Sequence, residues 1–405
     1  MAKNTLPIGT TTTNTIGCVS ARDSANVHIG NTTHNHYLGS DLRNKFLRGL
    51  CIPPLPYEDR KNRNPERAEG TCEWFTCHPR FHDWQNNTSS SLLWVSADPG
   101  CGKSVLSRYL VDNVLPPSKS RATCYFFFKD DFDDQRSLEG ALRCLLHQLF
   151  KQRSHLLFDN ILQEFATEGE MTFASFYKLW KILLSAAGEG DQIVCILDGL
   201  AECVNPQLLI KTLARFYKSN EHEKFKLKFI VTSQPYHQIR RGFYDLIKSQ
   251  PTIHLAGESQ KEVNDIADEI TLYVIHRING LSRTLGLSDK WRDILIDEFA
   301  RFRSQTYLWA HLVLFFIEDA PLPITQSELR SNIRNLPLTV EAAYNKILSK
   351  SHNPDKTQMI LQVITAASRP MSLSEIAVVL TFRADVHLSL NHLGQDIPPL
   401  DLTAQ

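Results

Sequence analysis

Hydrophobic and polar positions divide the chain into stretches of different character. Residues 1–40 show no helical period, carry few charges and are rich in Thr and Asn, which reads as a disordered tail rather than part of a core. From Leu42 to Leu50 the spacing in LRNKFLRGL predicts one amphipathic helix, ended by Pro53, Pro54 and Pro56. The charged connector EDRKNRNPERAEG follows. After Trp84 short apolar runs alternate with long amphipathic segments. Strands are predicted at Leu92–Ser96, Thr123–Phe128, Gln192–Leu197 and Lys228–Thr232, with helices at Lys103–Val114, Leu138–Lys151 and Phe173–Ala187. That alternation predicts an α/β fold, a parallel sheet with helices on both faces. Beyond about Glu258 the strand signals stop. Glu262–Ile278, Trp291–Arg303 and Tyr307–Phe316 carry apolar residues at three- and four-residue spacing and predict a helical domain. A further trio, Val340–Leu348, Thr357–Ala367 and Ser374–Leu380, predicts a small separate helical module.

Composition narrows the class without naming a function. The chain has 405 residues, 44 Lys+Arg against 44 Asp+Glu, and 42% hydrophobic residues. Such balance provides no global field toward nucleic acid or an anionic bilayer, so neither is expected as a direct partner. No stretch approaches the roughly 20 apolar residues of a spanning helix, the nearest, Tyr307–Ile317, being interrupted by His311. The N-terminus lacks the apolar run of a secretory signal. Nine scattered cysteines suit a reducing interior, and a cytoplasmic location is expected.

The segment that carries chemistry is LLWVSADPGCGKS, Leu92 to Ser104. A phosphate-binding loop needs a buried strand, a glycine turn whose N–H groups face inward, and a helix whose N-terminus faces the anion, and all three stand here in order. Ala97, Asp98, Pro99, Gly100, Cys101, Gly102, Lys103 and Ser104 form the expected nucleotide-binding run. Gly100 and Gly102 let the backbone curl, Lys103 supplies charge to the β- and γ-phosphates, and the Ser104 hydroxyl is placed to ligate Mg²⁺. Ala97 replaces the first glycine of G-x-x-x-x-G-K-[ST]. Asp198, after the apolar run Ile193–Leu197, is the expected acidic partner of the metal. Glu202 either orients or deprotonates a water, as catalytic residue, or is a carboxylate at a helix start. Thr232 and Ser233, ending the next strand, either contact the γ-phosphate or cap the following helix.

With these residues in place the chain resembles the NACHT-type modules of STAND receptors, the NOD-like receptors, particularly those of filamentous fungi. GTCEWF, FHDW, LLWVSADPGCGKSVLSRYL, CYFFFKDD, ILDGLAEC, KFIVTSQP, YLWAHLVL and ASRPMSLSEIAVVL stand in that family's order over about Leu42–Leu388. The resemblance implies a linker and preceding segment at 41–85, a P-loop NTPase domain at 86–257 and a helical domain at 258–336. A winged-helix domain at 337–388, packed over the nucleotide at rest, and a truncated tail at 389–405 complete it. It also implies ATP or ADP with Mg²⁺, GTP staying open. Two departures bear on turnover: Ala201 stands where the family usually has a second acidic residue, and Gln234 where it often has Arg. Hydrolysis is therefore expected to be slow at most, binding being more secure.

The tail resembles the short amyloid motif shared by fungal HET-s-type cell-death effectors and their NACHT receptors, over about residues 13–38. Ile16, Val19, Ala21, Ala25, Val27 and Ile29 supply apolar positions, broken by Arg22-Asp23-Ser24, and Gly30 and Asn31 supply a turn and a side-chain ladder. The resemblance implies self-association, and a cell-death effector carrying a similar motif as partner. The alternative is an inactive nucleotide-bound scaffold or decoy. Cys72, Cys77, His78 and His82 lack the ligand-pair separation of a zinc finger, so zinc is set aside.

Overall fold

The computed structural model describes residues 32–51, 57–130, 132–168, 174–189, 191–302, 306–319, 325–369 and 371–384. The expected amyloid positions, Ile16 to Asn31, and the tail at 389–405 lie outside the described residues. Helices α1 (Thr32–Leu50), α2 (Tyr57–Asn62), α3 (Glu73–Thr76) and α4 (Pro79–Asn86) lead into strand β1 (Ser91–Ser96). Then come α5 (Lys103–Tyr109), β2 (Arg121–Phe127), α6 (Leu138–Gln152), α7 (Asp159–Glu168), α8 (Phe176–Ala187), β3 (Gln192–Asp198), α9 (Pro206–Lys218), β4 (Leu227–Ser233), α10 (His237–Phe243) and β5 (Thr252–His254). After β5 the described chain is helical: α11 (Gln260–Leu285), α12 (Asp289–Phe299), α13 (Tyr307–Glu318), α14 (Gln326–Arg334), α15 (Val340–Ser349), α16 (Pro354–Ala366) and α17 (Leu373–Ala384).

The strands form one parallel sheet in the order β2-β3-β4-β1-β5. Period-two alternation splits its side chains between two cores. Leu92, Cys124, Cys195 and Phe229 face α6, α8, α9 and α10. Leu93, Val95, Tyr125, Ile196 and Ile230 face Phe75, Phe81, Trp84 and the α5 helix. A third cluster, built around Ile278, Leu295, Trp309 and Ile333, belongs to α11–α14. Along the outer side of β2 three glutamines replace a strand. Gln152 and Gln148 each accept from and donate to the backbone, at Thr123 (3.0 and 2.8 Å) and Tyr125 (3.1 and 2.8 Å), and Gln135 donates to the Phe127 carbonyl at 2.9 Å.

Two local readings change. The helix expected from Leu42 starts at Thr32, ahead of the boundary set by composition. The helix expected over Lys103–Val114 is regular only to Tyr109; Leu110–Val114 widens by one residue per turn, and Leu115 donates back to Leu110.

Candidate functional site

Because all five strands run the same way, their carboxyl ends gather on one side, where an open α/β sheet leaves a crevice. β1 delivers Ala97–Gly102, and the turn closes at Gly100 (φ 75°) and Gly102 (φ 80°), left-handed conformations that glycine adopts without strain. Gly102 then caps α5, so the helix starts at Lys103 with its first N–H groups toward the loop. Lys103 Nζ donates to the Ala97 carbonyl at 2.9 Å and the Asp98 carbonyl at 2.8 Å, folded back on the loop it serves. Burial pushes its ammonium below the usual lysine range, against the pull of Cys101, Asp198 and Asp98. Burial likewise raises the Cys101 thiol. Asp98 and Pro99 lie exposed at the turn.

Asp198 ends β3 fully enclosed. Its two oxygens accept three hydroxyls: Ser104 at 2.6 Å on Oδ2, Ser107 and Thr232 each at 2.7 Å on Oδ1. Thr232 Oγ1 accepts in turn from the Gly199 N–H at 2.9 Å, bracing the chain as it leaves β3. Since β4 lies between β1 and β3, Thr232 bridges the loop side and the carboxylate side. Ser107 was not anticipated; its signal was the three-residue spacing from Ser104, which puts both hydroxyls on one face of α5.

Glu202 sits in a single 3₁₀ turn, Leu200–Glu202, 4.0 Å from Lys129. Burial pushes its carboxyl above the usual range, with Lys129 opposing and Asp130 and Asp198 adding to the rise. Ser233 meets the loop through its carbonyl, which accepts from the Ala97 N–H at 3.1 Å, and its side chain points away. Its hydroxyl accepts from the buried Trp94 indole at 2.8 Å, on the face where Trp94 stacks on Phe243 at 4.5 Å. Neighbouring strand positions face opposite ways, so Thr232 and Ser233 cannot serve one ligand together.

A cleft of about 510 Å³ opens beside the loop. Gly100–Gly102 and Val105 form one wall, Thr71–Phe75 another, and Tyr273, Arg277, Tyr307 and His311 of α11 and α13 a third. The third wall touches the loop directly: Leu308 N–H donates to the Gly100 carbonyl at 3.1 Å, and a methyl group placed on Gly100 would meet Leu308 Cβ at 2.2 Å. Periodicity placed α13 but gave no sign of what it packs against. His78 has a structural task, its Nδ1 accepting from the Arg80 N–H at the start of α4.

Comparison with known proteins adds the following. A family model described as Nephrocystin 3, N-terminal, matches residues 70–234. The vegetative incompatibility protein HET-E-1 of Podospora anserina is 23% identical over 328 residues, 77% of this chain and 23% of that protein. The chain thus spans about a quarter of the length of the curated relative it matches. Among solved structures, Cdc6p of Pyrobaculum aerophilum aligns over 82% of this chain and 85% of its own at 12% identity and a TM-score of 0.35. The ORC2 protein of Aeropyrum pernix aligns over 86% and 89% at 13% identity and 0.32. At such scores the fold is read from the sheet itself. The matched residues 70–234 include Ala97–Ser104, Asp198, Glu202 and Thr232.

Proposed function

We propose that the chain is a nucleotide-controlled signalling switch of the STAND type, holding ATP or ADP at the loop between β1 and α5. The observation that carries this reading is the joint placement of Gly100, Gly102, Lys103 and Ser104 at a helix start with Asp198 behind them. Ala97 to Ser104 would cradle the phosphates, and Ser104 and Asp198 would hold Mg²⁺, both being hard oxygen donors of the kind that ion takes alongside phosphate oxygens and water. The ion would neutralise charge across the β- and γ-phosphates. Glu202 would act on the attacking water, its half-buried carboxyl being raised above the usual range and so readier to take a proton. The cleft walled by Thr71–Phe75 and Tyr307 would take the base and ribose.

Nucleotide content of the purified chain tests the reading: bound nucleotide is expected in the wild type and none in Lys103→Ala. Equal content in both would overturn it. Signalling would pass from opened, gathered copies through the N-terminal segment to an effector with an equivalent motif. A peptide of residues 13–38 is accordingly expected to form cross-β fibres, prevented by Val27→Asp. Ala201 and Gln234 favour a second reading, a nucleotide-bound scaffold that never turns over. Single-turnover phosphate release that Glu202→Gln abolishes supports the switch; no release above background supports the scaffold.

A further inference from the structure

Helix α11 buries Ile270 and Val274 in the helical core, and beside them Glu269, only 5% exposed. A carboxylate so enclosed needs compensating donors. They are main-chain groups of residues 72–74: the Cys72 N–H donates at 2.5 Å and the Trp74 N–H at 2.7 Å. Among the described residues Cys72 is the one non-glycine with positive φ, at 65°. That conformation costs a side-chain-bearing residue on the order of 1 kcal/mol. The bend turns both N–H groups onto one carboxylate. Two residues earlier Gly70, at φ 80°, brings the chain so near α11 that a Cβ there would lie 3.2 Å from Leu272 Cδ1. The Tyr307 hydroxyl lies 3.5 Å from Glu269, and the Tyr307 ring packs against Tyr273 and reaches over Gly102. One carboxylate therefore ties the wall at 71–75 to α11, and through Tyr307 the tie reaches the loop.

We propose that Glu269 is a positioning residue that fastens the wall at 71–75 across the cleft and so sets how fast nucleotide leaves. This rests on the nucleotide reading above and adds to it the group that controls release. Burial pushes the Glu269 carboxyl above the usual range, while the Trp74 and Cys72 N–H groups draw it back and Glu73 adds to the rise. Protonation of this group as pH falls removes the charge that holds the wall. Cys72 and Glu73 on the wall segment and Tyr307 on α13 act on it directly, Arg67 pairs with Glu73, and Glu66, Tyr273, His276, Arg277 and His311 line the same cleft. Burial and Glu269 itself hold the Cys72 thiol up to about 12. His276 and His311 are present in both proteins, so the comparison of wild type with Glu269→Gln isolates the carboxylate.

The test follows release of a fluorescent ADP analogue from the full chain from about pH 8 down to the ordinary glutamate value of 4.5, with amide exchange measured in parallel. Release is expected to quicken roughly fivefold or more in Glu269→Gln and Glu269→Ala, the loss of hydrogen bonds to a charged group. In wild type it should quicken as pH falls, a dependence flattened in Glu269→Gln. The Cys72 and Trp74 amides should lose protection in Glu269→Gln while those of β1 and β3 keep theirs. Should Glu269→Ala fail to fold, the Gln variant decides. Unchanged release and unchanged protection at those amides, with Lys103→Ala still unable to bind, would overturn this role and leave the nucleotide reading standing. A wild type that takes up no nucleotide would remove both.

Discussion

Asp198 and Lys228 show how differently two buried charges are used. Asp198 collects three hydroxyls at the end of β3, each of them on an element that meets the loop. Lys228, on β4, is 1% exposed and donates to the Trp84 and Gln85 carbonyls at 2.9 and 2.7 Å, closing the C-terminal end of α4. Burial lowers its ammonium to about 8, with Arg121 adding to the effect. Between pH about 8 and the ordinary lysine value near 10.5, the folded chain has lost this proton and the unfolded chain still holds it. The unfolded state then binds more protons, so this term makes stability rise with pH across that window. Denaturant midpoints taken from pH 8 to 10.5 are expected to show that contribution in wild type and to lose it in Lys228→Met. Gly100, Gly102, Lys103 and Ser104 were legible in the sequence because backbone sterics and charge dictate them locally. Glu269 was not, since a carboxylate answering main-chain N–H groups nearly two hundred positions away leaves no periodic trace.

At the scale of elements, four strands could be read because each is an apolar run long enough to be buried on both faces. β5 was missed: three residues, Thr252–His254, provide too little pattern, and pairing to β1 makes the strand. The helices after β5 declared themselves by period, but the groups that lock them together did not. Glu298 of α12 has a side chain 1% exposed and meets Arg330 at 2.7 Å and Arg334 at 3.5 Å on α14, with Arg301 at 3.2 Å. Burial pushes its carboxyl up, yet the Arg330 and Arg334 hydrogen bonds carry it below the usual range. Glu298→Gln is expected to cost about 2 kcal/mol, the worth of hydrogen bonds to a charged group, read as a lower unfolding midpoint of the helical part. A change within experimental error would show that the guanidinium groups find water as readily as the carboxylate.

For the whole molecule, the loop follows β1 of the sheet and is tied to the helical part by Leu308, so a ligand held there would bear on both. Ligand bound only by the folded chain stabilises it by mass action, about 2.7 kcal/mol at a hundredfold excess over the dissociation constant. Mg²⁺-ADP at such excess is expected to raise the melting temperature by several degrees in wild type and not in Lys103→Ala. An equal rise in both proteins would place the ligand elsewhere. The glutamine row along β2 has a consequence for any gathering of copies. Thr123 and Tyr125 have their outward N–H and carbonyl groups, and Phe127 its carbonyl, already answered by side chains, and at the opposite border β5 offers only three residues. The sheet therefore offers few open main-chain groups for growth from molecule to molecule. A filament of this protein would have to grow from segments outside that sheet, and the folded units would hang beside it as intact passengers.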